Sequence, residues 1–166
     1  MRHHLYNQNF QFVKEPIEFN KNTERSILQY CLGGTLYMPG TKIILDKILQ
    51  KSLTDITSMV MCFEDSIQED DLPQAEENVL FHLDSIATAI EQAAITIDDV
   101  PLLFLRVRNI EQFKSFAQRL TTQQTSVLSG FTFPKFDSYS AGDFLKTLEH
   151  LCLQHNAILY GMPILE

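Results

Sequence analysis

Cysteine is scarce: Cys31, Cys62 and Cys152 are the only three, and none stands at CxxC spacing from another. That excludes a disulfide framework and a cysteine-built zinc site, and it fits a protein of the reducing cytoplasm. Long apolar runs are missing too. No stretch reaches the roughly 18 residues that span a bilayer, and the start MRHHLYNQNF lacks the apolar segment of a secretory signal, so neither a membrane partner nor export is expected. Positive charge is short, with 13 Lys plus Arg against 21 Asp plus Glu and a net charge of -8. An acidic chain of this kind is not expected to bind nucleic acid, although a local basic patch can still hold a small anion.

Several chemical signatures are absent as well. No GxGxxG or GxxxxGK[ST] loop occurs, which removes the two commonest phosphate cradles of doubly wound folds. His3, His4, His82, His150 and His155 form no HExxH, no GxSxG supplies a serine nucleophile, and each cysteine lies in an apolar stretch where a small buried hydrophobe is expected. What remains is a chain of 166 residues, 45% hydrophobic and 20% charged, with enough apolar material for one folded domain.

The apolar pattern orders that domain. Residues 23–32 carry a helical face (Ile27, Leu28, Cys31) stopped by Gly33-Gly34, and 35–38 read as a short strand ending at Pro39-Gly40. A helix is expected over 41–51. SMVMCF (58–63) is a run of the kind a strand buried on both faces requires, broken by Glu64-Asp65, and a long helix follows over 72–94 with Pro73 in its first turn. PLLFLRV (101–107) is the third strand, 110–120 a helix, 130–133 the fourth strand and 141–155 a helix. A fifth strand is expected from 157–160 with 162–165, interrupted at Gly161 and Pro163. Strands alternating with helices imply a parallel sheet and an α/β fold, either doubly wound or a barrel.

In such folds ligands sit at the carboxyl ends of the strands. The polar residues there are Pro39-Gly40-Thr41, Glu64-Asp65, Arg106 and Arg108 with Asn109, Lys135 and Glu166. Carboxylates can hold a hard divalent cation through oxygen, while Arg and Lys grip a carboxylate or an enolate oxygen. Each also has a plain structural reading: a Glu-Asp pair is commonly a solvated loop and a Lys after Pro134 an ordinary surface residue. Arg106 and Arg108 share a parity that would aim both at one face of the strand, where a buried Arg requires a partner.

LYMPG (36–40), MVMCFEDSI (59–67), LRVRN (105–109), GFTFPKFDS (130–138) and MPILE (162–166) resemble, in order and spacing, the citrate lyase beta-subunit family of the larger aldolase and lyase superfamily. MRHHLY and the run from Tyr30 through LGGTLYMPG resemble its divergent branch of predicted TIM-barrel carbon–carbon bond lyases, found in bacterial operons with phosphoribosyltransferase-like and tellurite-resistance-type genes. The resemblance implies a (β/α)8 TIM-barrel fold. A full barrel needs about 250 residues, so the expectation is one domain over 1–166, a lead-in and helix over 1–32 and then five strands, truncated after the fifth.

The resemblance also implies roles. Pro39, Gly40 and Thr41 would form a loop near the substrate or coenzyme A phosphate. Glu64 and Asp65 would line the site and support metal and water, Arg106 would hold the substrate carboxylate or carbonyl with Arg108 as the alternative, and Lys135 would match the P-K lysine. Glu166 would be a ligand to Mg2+. Cys62 stands where the pattern LDLED has an aspartate, and Thr41 where a polar or acidic residue follows Pro-Gly. The implied activity is a magnesium-dependent lyase or aldolase acting on a small oxo- or hydroxy-acid or its coenzyme A thioester, with a homo-oligomer expected. The alternative is a non-catalytic barrel that keeps an anion site for a small anionic metabolite or partner.

Overall fold

The computed structural model describes residues 9, 11–13, 17–53, 55–65 and 67–165. Five strands, β1 (Leu36–Pro39), β2 (Ser58–Cys62), β3 (Leu102–Arg106), β4 (Leu128–Phe133) and β5 (Tyr160–Pro163), form one parallel sheet in sequential order. A doubly wound sheet reverses its strand order partway; this one does not, and it has the order of a barrel wall. The helices are α1 (Arg25–Leu28), α2 (Leu45–Leu49), α3 (Leu72–Glu91), α4 (Ile110–Ala117), α5 (Thr122–Val127) and α6 (Ala141–His155).

Alternation along the strands separates two apolar layers. Met59, Met61, Leu103, Leu105, Phe131 and Phe133 turn to the side where α2 to α6 pack, with Val79, Leu83, Phe113, Phe116 and Phe144. There the rings of Phe113 and Phe131 lie 4.7 Å apart, as do those of Phe133 and Phe144, pairings that add about 0.5–1.5 kcal/mol each beyond burial. Val60, Leu102 and Phe104 turn the other way, onto Phe19, Leu28 and Cys31. Because both faces are covered, β2 and β4 are buried along their whole length.

The strand register sets the candidate site. Pro39, Cys62, Arg106, Thr132 and Met162 stand opposite one another in a single row across the carboxyl ends. Between Leu103 and Phe104 the β3–β4 pairing slips, with Leu103 opposite Leu128 but Phe104 opposite Gly130, so Ser129 is an extra bulged residue. This slip brings Gly130, Thr132 and Arg106 onto the face opposite the helices.

Several elements differ from the sequence expectation. Residues 41–44 are not helical and α2 begins only at Leu45, with α1 likewise shorter than 23–32. α5 lies in a stretch where the sequence suggested no element; its start is a capping box in which Thr121 Oγ1 accepts from Gln124 N at 3.1 Å and Gln124 Oε1 accepts from Thr121 N at 2.9 Å. β5 is centred on Gly161 instead of being broken by it. A Cβ there would lie 2.6 Å from the Phe133 ring, so that ring and Leu148 occupy the space a side chain would need. No helix among the described residues is long and apolar enough to cross a membrane.

Candidate functional site

Arg106 closes β3. Its neighbours in strand parity, Leu102 and Phe104, belong to the layer away from the helices, so the guanidinium emerges on that same side at the strand end. Glu64 and Asp65 lie in the turn after β2, closed by the Ile67 N–H donating to the Glu64 carbonyl at 3.1 Å. Inside the turn the Glu64 N–H donates to Cys62 Sγ at 3.3 Å. Cys62, where the related pattern has an aspartate, thus anchors the acidic turn from the row that holds Arg106.

The charges meet on one nitrogen. Arg106 Nη2 contacts Glu64 Oε2 and stands 2.9 Å from Asp65 Oδ2. Arg106 and Glu64 keep only 14% and 11% of their side-chain exposure, whereas Asp65 keeps 69%. Burial opposes the charge of Arg106, but the Glu64 and Asp65 carboxylates and the Cys62 thiol outweigh it and raise the guanidinium above its ordinary range. Lys135 completes the group, its exposed Nζ 3.9 Å from Glu64 Oε1. Its backbone is left-handed (φ 48°), an uncommon conformation for a residue with a side chain.

Two buried polar atoms here lack a hydrogen-bond partner: Arg106 Nε, and Thr132 Oγ1 beside Arg106 on the next strand. Unsatisfied buried groups are rare, and these lie at the carboxyl ends of parallel strands, where ligands or ordered water are found in such folds.

Of the sequence-derived candidates, the structure brings together Glu64, Asp65, Arg106 and Lys135. Arg108 goes elsewhere. β3 ends at Arg106, so strand parity no longer governs position 108, and Arg108 Nη1 donates to the carbonyls of Phe63 (3.4 Å) and Ile67 (3.2 Å). It clasps both sides of the turn that carries the two carboxylates. Behind it the Arg108 N–H donates to Gln112 Oε1, and Gln112 Nε2 donates to Glu76, which pairs with Arg119. The Pro39-Gly40-Thr41 turn is fixed toward the helices: Gly40 N donates to Cys62 O at 2.9 Å, Asn78 Nδ2 donates to Gly40 O, and a Cβ on Gly40 would press the Phe63 ring at 3.0 Å. Pro39 shares the row of Arg106, and Thr41 is exposed. Glu166 lies outside the described residues.

Sequence reasoning passed over Thr132, although the alternation in GFTFPK sets it apart from Phe131 and Phe133. It also passed over Gln112, whose role comes from a contact with α3 that sequence distance hides. Among the described residues no three His, Cys, Asp or Glu side chains converge as a metal cage. Glu64 and Asp65 nevertheless offer hard oxygen donors of the kind magnesium takes in ones and twos, with water and substrate filling its remaining positions.

A family model described as C-C bond lyase of the TIM-barrel fold matches residues 26–166. No curated protein matches the chain.

Proposed function

The chain belongs to the C-C bond lyase family of the TIM-barrel fold, and from that premise we propose that it is a magnesium-dependent lyase or aldolase for a small oxo- or hydroxy-acid or its coenzyme A thioester, akin to the citrate lyase beta subunit. The observation that carries this reading is Arg106, held between Glu64 and Asp65 at the carboxyl end of β3.

The two carboxylates are unequal, and that inequality suits them to different work. Glu64 is largely buried and keeps the guanidinium aimed, while Asp65 is mostly in solvent. A substrate carboxylate arriving at Arg106 Nη2 displaces the exposed Asp65 more readily than the buried Glu64, because the solvated partner gives up less. Arg106 then fixes the acid end of the substrate, an orientation that brings the scissile bond to the strand ends. Lys135 adds a second cation on the far side of Glu64 to counter charge that develops on the departing enolate. Asp65 and Glu64, with Glu166 by the family resemblance, would supply oxygen ligands to Mg2+, whose chemistry would be to polarise the substrate carbonyl. In this reading exposed Thr41, after the Pro39-Gly40 turn, would meet the distal part of a thioester.

The test is calorimetry of the protein with Mg2+ and oxaloacetate, alongside a cleavage assay. Arg106→Ala is expected to weaken keto-acid binding about tenfold or more, and Glu166→Gln to weaken Mg2+ binding. Unchanged binding in both variants would overturn the assignment.

A further inference from the structure

At the opposite ends of the strands from Arg106, a recess of about 410 Å³ opens where the chain enters β4 and β5. Lys21, Thr122, Ser126, His155 and Tyr160 are among its walls, and no Asp or Glu of the described residues lines it. In a chain of net charge -8, a recess with two nitrogen bases and no carboxylate is a local inversion of sign.

Lys21 is the unexplained member. It is 8% exposed, and its Nζ makes one hydrogen bond, to the Thr125 carbonyl at 2.9 Å. Among the described residues no carboxylate pairs with it. A lysine buried to this degree ordinarily has an anionic partner, because desolvating an ammonium is costly and a single carbonyl dipole offsets little of that cost. Burial draws its pKa down to about 8, with the Cys152 thiol nearby partly opposing. At neutral pH the amine is still mainly charged. A second group shows the same want of a partner. His155 Nδ1 lies 3.0 Å from Thr122 Oγ1, while its Nε2 is buried with no hydrogen bond. The hydroxyls of Thr125 and Ser126 already donate to carbonyls of α5, and the basic groups of the recess that want a partner are Lys21 and His155.

We propose that this recess is a binding site for a small oxoanion, free or as the phosphate of a small metabolite, with Lys21 Nζ as its ionic partner and His155 Nε2 as a second donor. The site is separate from the Arg106 cluster and does not depend on the lyase reading.

The experiment is a calorimetric titration of the whole chain with inorganic phosphate at pH 7, at ionic strength held constant with sodium chloride. Saturable binding is expected. Lys21→Met is expected to weaken it about tenfold or more, His155→Gln by a few-fold, and Arg106→Met not at all. Tighter binding of glycerol 3-phosphate than of inorganic phosphate would identify a metabolite headgroup as the guest; equal binding would identify the free ion. Absence of saturable binding, or equal affinity in Lys21→Met, would overturn the proposal, as would loss confined to Arg106→Met. Should Lys21→Met fail to fold, carbon NMR of the Lys21 Cε in the unaltered protein decides. Phosphate must raise the Lys21 pKa, and a pKa that does not move on addition of phosphate refutes the site.

Discussion

The guanidinium of Arg108 donates to the carbonyl oxygen of Ile67 at 3.2 Å, reaching back from the residue just past β3 to the turn just past β2. With its second bond, to Phe63, it spans the turn that holds Glu64 and Asp65. Arg108 therefore acts on the site through the backbone. Arg108→Met should lower stability by about 1–3 kcal/mol in urea denaturation, since two carbonyls lose their donor. Arg108→Lys should restore only part of this, because both bonds leave from Nη1 at the far end of the guanidinium, a point the shorter lysine side chain does not reach without shifting the turn. Equal stability of all three proteins would show that the clasp contributes nothing.

Arg106 behaves differently, because its partners are charged. Arg106→Met leaves Glu64, 11% exposed, without its guanidinium and with only the exposed Lys135 amine 3.9 Å away. A loss of about 2 kcal/mol is expected, below the figure for a fully buried pair because part of the cluster meets solvent. Glu64→Gln in the same chain should recover much of that loss. A double-mutant cycle is expected to give a coupling of about 1 kcal/mol or more, and a coupling near zero would mark the contact as incidental.

These two arginines also show what was legible in the sequence. The long apolar runs of β2 and β3 are legible because both faces of those strands are buried, and the polar residues that follow them stand at the carboxyl ends of the strands. Glu64, Asp65, Arg106 and Lys135 come together for that reason. Arg108 departs from the face that alternation assigns it, because alternation holds only while the strand lasts and β3 stops at Arg106. α5 leaves no apolar stripe in the sequence, because TQQTSV has one buried aliphatic side chain, Val127; its signal is the Thr121/Gln124 capping box. The pairing of Thr132 with Arg106 depends on a bulge at Ser129 that no local pattern announces.

Gly130 has little freedom at the β4–β5 seam. A Cβ built on it would fall 2.0 Å from the Tyr160 carbonyl oxygen, and backbone cannot swing aside as a side chain can. Gly130→Ala should therefore cost about 3 kcal/mol or more and loosen β5 specifically. Hydrogen exchange is the measurement: amides of β5 should lose protection while those of β2 and β3 keep theirs. Uniform protection in the variant would show that the strands separate without penalty.

Lys21 makes stability depend on alkaline pH. Its folded pKa of about 8 lies below the ordinary 10.5, so between these values the unfolded chain holds a proton that the folded chain has released. Stability should rise with pH across that window, and the contribution should be absent below it. Because other lysines and tyrosines titrate nearby, the readout is the difference from Lys21→Met, whose stability should lack this rise. Parallel curves for the two proteins would show that the buried amine titrates normally.

His82 adds a dependence on acid pH. It is wholly buried in α3, and neither ring nitrogen has a hydrogen-bond partner. Burial lowers its pKa from the ordinary 6.5, so the folded protein holds the ring neutral while the unfolded chain protonates first. The unfolded state then binds the extra proton, and stability must fall as the pH drops from 6.5 toward the depressed folded value. His82→Leu removes the titration and replaces an unsatisfied imidazole with an apolar side chain in an apolar layer. That variant should be at least as stable as the natural protein at pH 7 and should lose less on acidification to pH 5, followed by circular dichroism in urea. An identical acid dependence in both proteins would place the sensitive group elsewhere, and a large loss at pH 7 would mean that the two ring nitrogens are satisfied in solution by bound water.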